Sequence, residues 1–189
     1  MEIDDVWSFW FGDLDADGAA APEVVKRWWT KDPAFDQEVR DRFGDLHRAV
    51  AAGEREAWRA DVRGAVAYVV VLDQFARNMF RDTPAMFASD GQALAAAKDA
   101  VARGLDRAAP AAARSFLYLP YMHSEVIADQ DACVGLFEQL PGAANNLDFA
   151  ERHRAVIRRF ARFPHRNRIL GRPSTPDELA FLEQPGSSF

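Results

Sequence analysis

The chain has 189 residues, 49% of them apolar and 28% charged, which suits one globular domain with ample core. Lys and Arg number 23 against 29 Asp and Glu, a net charge of −6, and that sign opposes binding to nucleic acid or to an anionic membrane. The single cysteine, Cys133, excludes an intramolecular disulfide. The N-terminal MEIDDVWSFWFGD lacks the basic start of a secretion signal. The longest purely apolar run, Val66 to Leu72, falls short of the ~20 residues that span a bilayer. The expected location is the cytoplasm.

Ile3, Trp7, Trp10, Phe11 and Leu14 recur at helical spacing and predict a short opening helix. Asp15 to Ala21 is a loop, and Pro22 suits the first turn of a second helix through Trp29. Asp32-Pro33 starts a third, with Phe35, Val39, Phe43, Leu46 and Val50 as its stripe and Gly53 as its stop. Glu54 to Ala60 is a short helical piece. The next segment, Asp61 to Arg81, is the most apolar of the chain, with Asp61 as N-cap and Thr83-Pro84 beyond its end. Around Val66 to Leu72 it is apolar on all sides, so it should be surrounded by other helices.

Ser89 or Asp90 is expected to cap an alanine-rich helix ending near Gly104. Pro110 begins a short helix through about Tyr118, and Pro120 is expected to break it before Tyr121 to Ala128. Asp131 to Leu140 and Asn145 to Phe163 follow, and Pro176 to Glu183 closes the chain. On the penultimate helix Phe149, His153, Val156, Ile157 and Phe160 form the predicted buried face. No segment alternates with period two. The expectation is an all-α array of about ten helices in one domain. The pair formed by the central helix and Ala93 to Val101 resembles a tetratricopeptide unit, whose period is about 34 residues, although the repeat consensus is absent.

Four stretches are richer in polar residues than a plain core requires: LDQFARNMFR from Leu72, FLYLPYMHSE from Phe116, HRAVIRRFAR from His153 and FPHRNRILGR from Phe163. Asp73 and Arg77 stand at i, i+4 on the buried side of the central helix. They form either a satisfied structural ion pair or a site where Arg77 also holds an anion. Between Glu151 and Arg172 lie eight arginines and one acid. Arg154, Arg158 and Arg162 border the buried face; with Arg166 they either pair with neighbouring acids or frame a cleft for carboxylate or phosphate, which the planar guanidinium suits. His153 reads as a core histidine. His123, at a predicted helix start beside Ser124 and Glu125, and His165, on a loop, are the other imidazoles of interest. Histidine and cysteine spacings fit no metal motif, and no glycine-rich phosphate loop or nucleophile elbow is present. No metal or cofactor is expected. Cys133 reads as a packed thiol, and Trp7, Trp10, Trp28 and Trp29 as core and groove walls.

The stretches VWSFWFGD, LDQFARNMFR, FLYLPYMHSE, HRAVIRRFARFPHRNRILGR and STPDELAFLEQPGSSF, in this order, resemble the bacterial family known as domain of unknown function 924. The likeness runs from near residue 5 to Phe189. The family often carries proline where Ala76 stands. The resemblance implies a tetratricopeptide-like helical fold and brings no reaction with it.

Two functions follow as expectations. The first is a binding module whose groove, lined by Arg158, Arg162 and aromatics, takes an anionic ligand or an acidic peptide segment. The second is a small-molecule enzyme in which Asp73, Arg77, Tyr121, His123, Glu125 and His165 converge on one pocket. Arg77 and Arg166 would hold the anion, and His123 or Glu125 would act as general acid or base.

Overall fold

The structure, a computed structural model, describes residues 1–188; Phe189, the last residue of the family-like tail, lies outside them. No strand occurs among these residues, only an isolated bridge between Leu14 and Ala20. The helices are α1 (Ile3–Trp10), α2 (Pro22–Trp29), α3 (Pro33–Ala51), α4 (Val62–Val70), α5 (Ala76–Met79), α6 (Asp90–Ala102), α7 (Ala111–His123), α8 (Ile127–Glu138), α9 (Ala144–Phe160) and α10 (Pro176–Leu182). A π-helical turn, Val71–Phe75, joins α4 to α5, so the two form one rod and the described residues hold nine separate helices. The expected all-α class is the one observed. None of these helices is long and apolar enough to cross a membrane.

Local chemistry starts the helices where expected. The Asp32 carboxylate accepts from the Ala34 and Phe35 amides, and Asp61 accepts from Gly64 at 2.9 Å. Thr175 and Glu178 form a reciprocal capping box at α10, which satisfies amide groups that a helix start otherwise leaves open. The rod is the centre of the molecule. Val66, Val70, Val71 and Leu72 are fully buried, enclosed by α1, α3, α6 and α7. Each such side chain contributes roughly 1.5–3 kcal/mol of burial. Gly64 lets the rod approach the preceding turn, because a Cβ there would lie 1.9 Å from the Trp58 carbonyl oxygen.

Several local expectations are corrected. Leu14 lies beyond α1, in the bridge to Ala20. Ser89 stands at the start of α6 but makes no side-chain cap bond; its hydroxyl donates to the Leu72 carbonyl at 2.6 Å instead. Pro120 does not break α7, which runs through it to His123. Only one ladder bond is lost so near the end. The Gln130 amide donates to the carbonyls of Tyr121, Met122 and Ser124 at 3.3, 2.7 and 2.7 Å. His123 therefore closes a helix rather than opening one. Phe149 is exposed, and Ala150 takes its place on the buried side of α9.

Candidate functional site

The π-helical turn is the first element of the site. Such turns are rare and concentrate at functional positions; they widen the helix and re-aim the side chains within them. Here Asp73 lies in the turn, and Arg77 follows on α5. The Asp73 carboxylate is sealed from solvent. It accepts from His123 Nδ1 at 2.7 Å, from Arg77 at 3.1 Å and from the Gln74 amide at 2.6 Å. Burial pushes this carboxyl up, but Arg77, His123 and Gln74 together outweigh burial and hold it far below the usual carboxylate range. Arg77 also donates to the Asp73 carbonyl at 2.9 Å, and it forks onto both oxygens of Asp90, the first residue of α6, at 2.8 and 3.1 Å.

In front of this group opens a cavity of about 560 Å³, within the size range of small-molecule sites. His123, His153 and His165 line it together with Arg77, Arg81, Arg166, Arg168 and Lys31. Trp28 and Trp29 from α2, with Phe87 from the 3₁₀ turn Pro84–Phe87, supply aromatic walls. Trp29 is more than half exposed and stands at the rim.

Most of the cations are matched. Arg81 forks onto Asp36 at 2.5 and 2.7 Å, Asn78 supports the same carboxylate at 2.7 Å, and Lys31 meets Asp82 at 3.0 Å. Arg166, on the 3₁₀ turn Pro164–Arg166, is different. It is 7% exposed, yet the nearest carboxylate oxygen among the described residues, on Asp90, is 3.6 Å away. Its Nε is buried without a hydrogen-bond partner among the described residues. The guanidinium lies between the rings of Phe87 and Phe163, 4.7 and 4.5 Å from their centroids. Burial, with Arg77 repelling it, brings its pKa down from 12.5 to about 10. Arg168, at the cavity edge, has no ion pair among the described residues.

The histidines are held neutral. Burial, then the Arg77 charge, lowers the His123 pKa against the pull of Asp73 and Asp90. Burial takes His153 to about 3, and burial with Arg166 takes His165 to about 4. Because His123 gives its Nδ1 proton to Asp73, its Nε2 carries the lone pair. Nothing among the described residues hydrogen-bonds that nitrogen.

Of the residues singled out in the sequence, Asp73, Arg77, His123, His165 and Arg166 come together. Tyr121 does not: it precedes His123 by two residues, about 200° around the helix, and is buried in the core. Glu125 does not line the cavity either. Its carboxylate is forked by Arg172 at 2.7 and 2.9 Å and accepts from the Phe163 amide at 2.8 Å. It thereby ties the segment bearing His165 and Arg166 to the end of α7. Arg158 bonds Asp131 at 2.8 Å on the surface. Arg162 forks onto Glu178 at 2.6 and 2.7 Å. Neither lines the cavity. Gln74, Asn78, Arg81, Phe87 and Asp90 are site residues that sequence reasoning did not single out. Three of these lie inside the polar stretch from Leu72, which was the available signal; Phe87 and Asp90 gave none. Among the described residues no group of three or more His, Cys, Asp or Glu is placed to hold a metal ion.

No curated protein matches the chain. A solved structure of a protein of unknown function, ATU0120 from Agrobacterium tumefaciens, superposes with a TM-score of 0.86 at 41% identity, over 96% of each chain. The model of a family described as bacterial protein of unknown function matches residues 6–186. The chain therefore belongs to that family, DUF924.

Proposed function

We propose that the chain acts as a single cytoplasmic domain whose cavity binds a small organic anion, its carboxylate or phosphate taken by Arg166 and Arg77. The observation that carries this reading is Arg166, a buried guanidinium that has, among the described residues, an unbonded Nε and no carboxylate within 3.5 Å. A buried charge left so poorly matched is costly; an arriving oxyanion would supply the missing acceptor in the forked geometry arginine favours. An extended acidic peptide fits less well, because Arg158 and Arg162 are engaged with Asp131 and Glu178. A tetratricopeptide-like pairing of neighbouring helices would accord with a ligand-binding role, but the polar groups converge on one compact cavity rather than along a groove.

Calorimetry and thermal unfolding with inorganic phosphate and with succinate test this. At 100 times Kd a ligand adds about 2.7 kcal/mol of stability, or roughly 5–10 °C for a chain of this size. Binding that is present in the wild type and lost in Arg166→Met supports the reading. No shift with either anion counts against it.

A further inference from the structure

We propose that the cavity is also catalytic: His123, oriented by Asp73, is the general base of a hydrolase acting on a small carboxylic ester that carries a second acidic group. This rests on the anion-binding reading above, with the second acid group held by Arg166 and the reacting carbonyl placed beside Arg77.

The geometry supplies each part. Asp73 accepts the Nδ1 proton at 2.7 Å and so fixes both tautomer and ring orientation. Gln74 and Arg77 in turn fix Asp73. His123 lines the cavity, so Nε2 is the atom available to a bound molecule. Asp73 and Arg77 on the rod, Asp90 on α6, His153 on α9, and His165 and Arg166 on the adjoining turn are the charged and titratable groups around it. Their sum, with burial, keeps the ring neutral at pH 7.

The attacking atom comes from solvent. Among the described residues no hydroxyl or thiol hydrogen-bonds His123. Cys133 is sealed and its thiol is pushed up to about 12 by burial. Ser124 donates to Asp129 at 2.7 Å, and Thr30 to the Lys26 carbonyl at 2.7 Å. Nε2 takes a proton from a water, whose oxygen bonds the acyl carbon while the carbonyl electron pair moves onto its own oxygen. The Arg77 guanidinium stabilises that oxyanion, while Arg166 holds the second acid group. Collapse breaks the bond from acyl carbon to alkoxy oxygen, and the imidazolium returns its proton to the leaving oxygen. One ester and one water become one acid and one alcohol. A phosphomonoester fits this machinery less well, because its loose transition state draws little from a base.

The test compares hydrolysis of mono-p-nitrophenyl succinate with that of p-nitrophenyl acetate by the wild type, His123→Gln and Asp73→Asn. Phosphate binding is measured in each by calorimetry, and reaction of His123 with diethyl pyrocarbonate by mass spectrometry. The expected result is a preference for the anionic ester, competition by phosphate, and a loss of ~10²–10⁴-fold in kcat for His123→Gln with phosphate affinity kept within a few fold. Phosphate should also protect His123 from carbethoxylation. Phosphate binding without turnover of the anionic ester, or equal turnover by His123→Gln, overturns the catalytic proposal and leaves the binding reading intact. No phosphate binding in the wild type overturns both.

Discussion

Replacing Arg166 by methionine separates a structural arginine from a functional one. The side chain is 7% exposed, and its charge is held from 12.5 down to about 10, which corresponds to about 3 kcal/mol against the charged state. The stacks on Phe87 and Phe163 offset about 0.5–1 kcal/mol each. Methionine retains contact with both rings through its polarisable sulfur. Asp90 stays forked by Arg77 after the change, so no carboxylate is stranded. The unliganded variant should therefore be more stable than the wild type by about 1–2 kcal/mol, a rise in Tm of roughly 3–6 °C. It should also bind neither phosphate nor succinate. Urea unfolding and calorimetry on the two proteins read both quantities. A destabilised variant that still binds phosphate would refute the reasoning and make Arg166 a structural cation.

Acid should weaken the fold through its buried imidazoles. With His153 at about 3 and His165 at about 4, the unfolded chain binds more protons once the pH falls below about 6.5, so stability falls with pH by ~1.4 kcal/mol per pH unit for each histidine. Urea midpoints should begin to drop near pH 6.5 and still be falling at pH 4; a flat profile across that window would contradict the burial of neutral rings. Glu125→Gln loosens the fork to Arg172 and the Phe163 tie. It should cost about 1–3 kcal/mol and weaken phosphate binding without touching the cavity, with faster hydrogen exchange across residues 163–172. Unchanged exchange there would deny Glu125 its positioning role. Gly64→Ala forces a Cβ against the Trp58 carbonyl and should cost about 2–3 kcal/mol in chemical denaturation; a neutral substitution would show that the turn and the rod are free to part.

What was legible in the sequence is what is local. Asp32 and Asp61 announce helix starts because a cap and the amides it serves are near neighbours in the chain. The all-round apolar run from Val66 to Leu72 announces the central rod for the same reason. Asp73 and Arg77 stood out as a charged pair on a buried face, and His123 by the polar company around it. Position relative to other segments was not legible. Tyr121, His123 and Glu125 are adjacent in sequence, yet the helix points the first into the core and ends before the third. Asp90 reads as a helix-start acid and nothing more; only the packing of α6 on the rod sets it between Arg77 and Arg166. Arg154, Arg158 and Arg162 look like a cleft on a wheel, but Asp131, from α8, engages the first two and Glu178, from α10, the third.

The widened turn at Val71–Phe75 divides the rod into two halves with separate duties. Val62–Val70 fills the core, and Arg77, Asn78 and Arg81, after the turn, line the site. Such a turn is one residue longer than the regular helix it interrupts. Deleting a single residue there would close the coil into regular helix and leave Arg77, Asn78 and Arg81 on nearly the face they hold now, because four residues at about 100° each sweep almost the same arc as the five of the wider turn. A change in length by one codon is thus the shortest path by which a descendant of this sequence could lose the placement of Asp73 and keep both the scaffold and the cations beyond it.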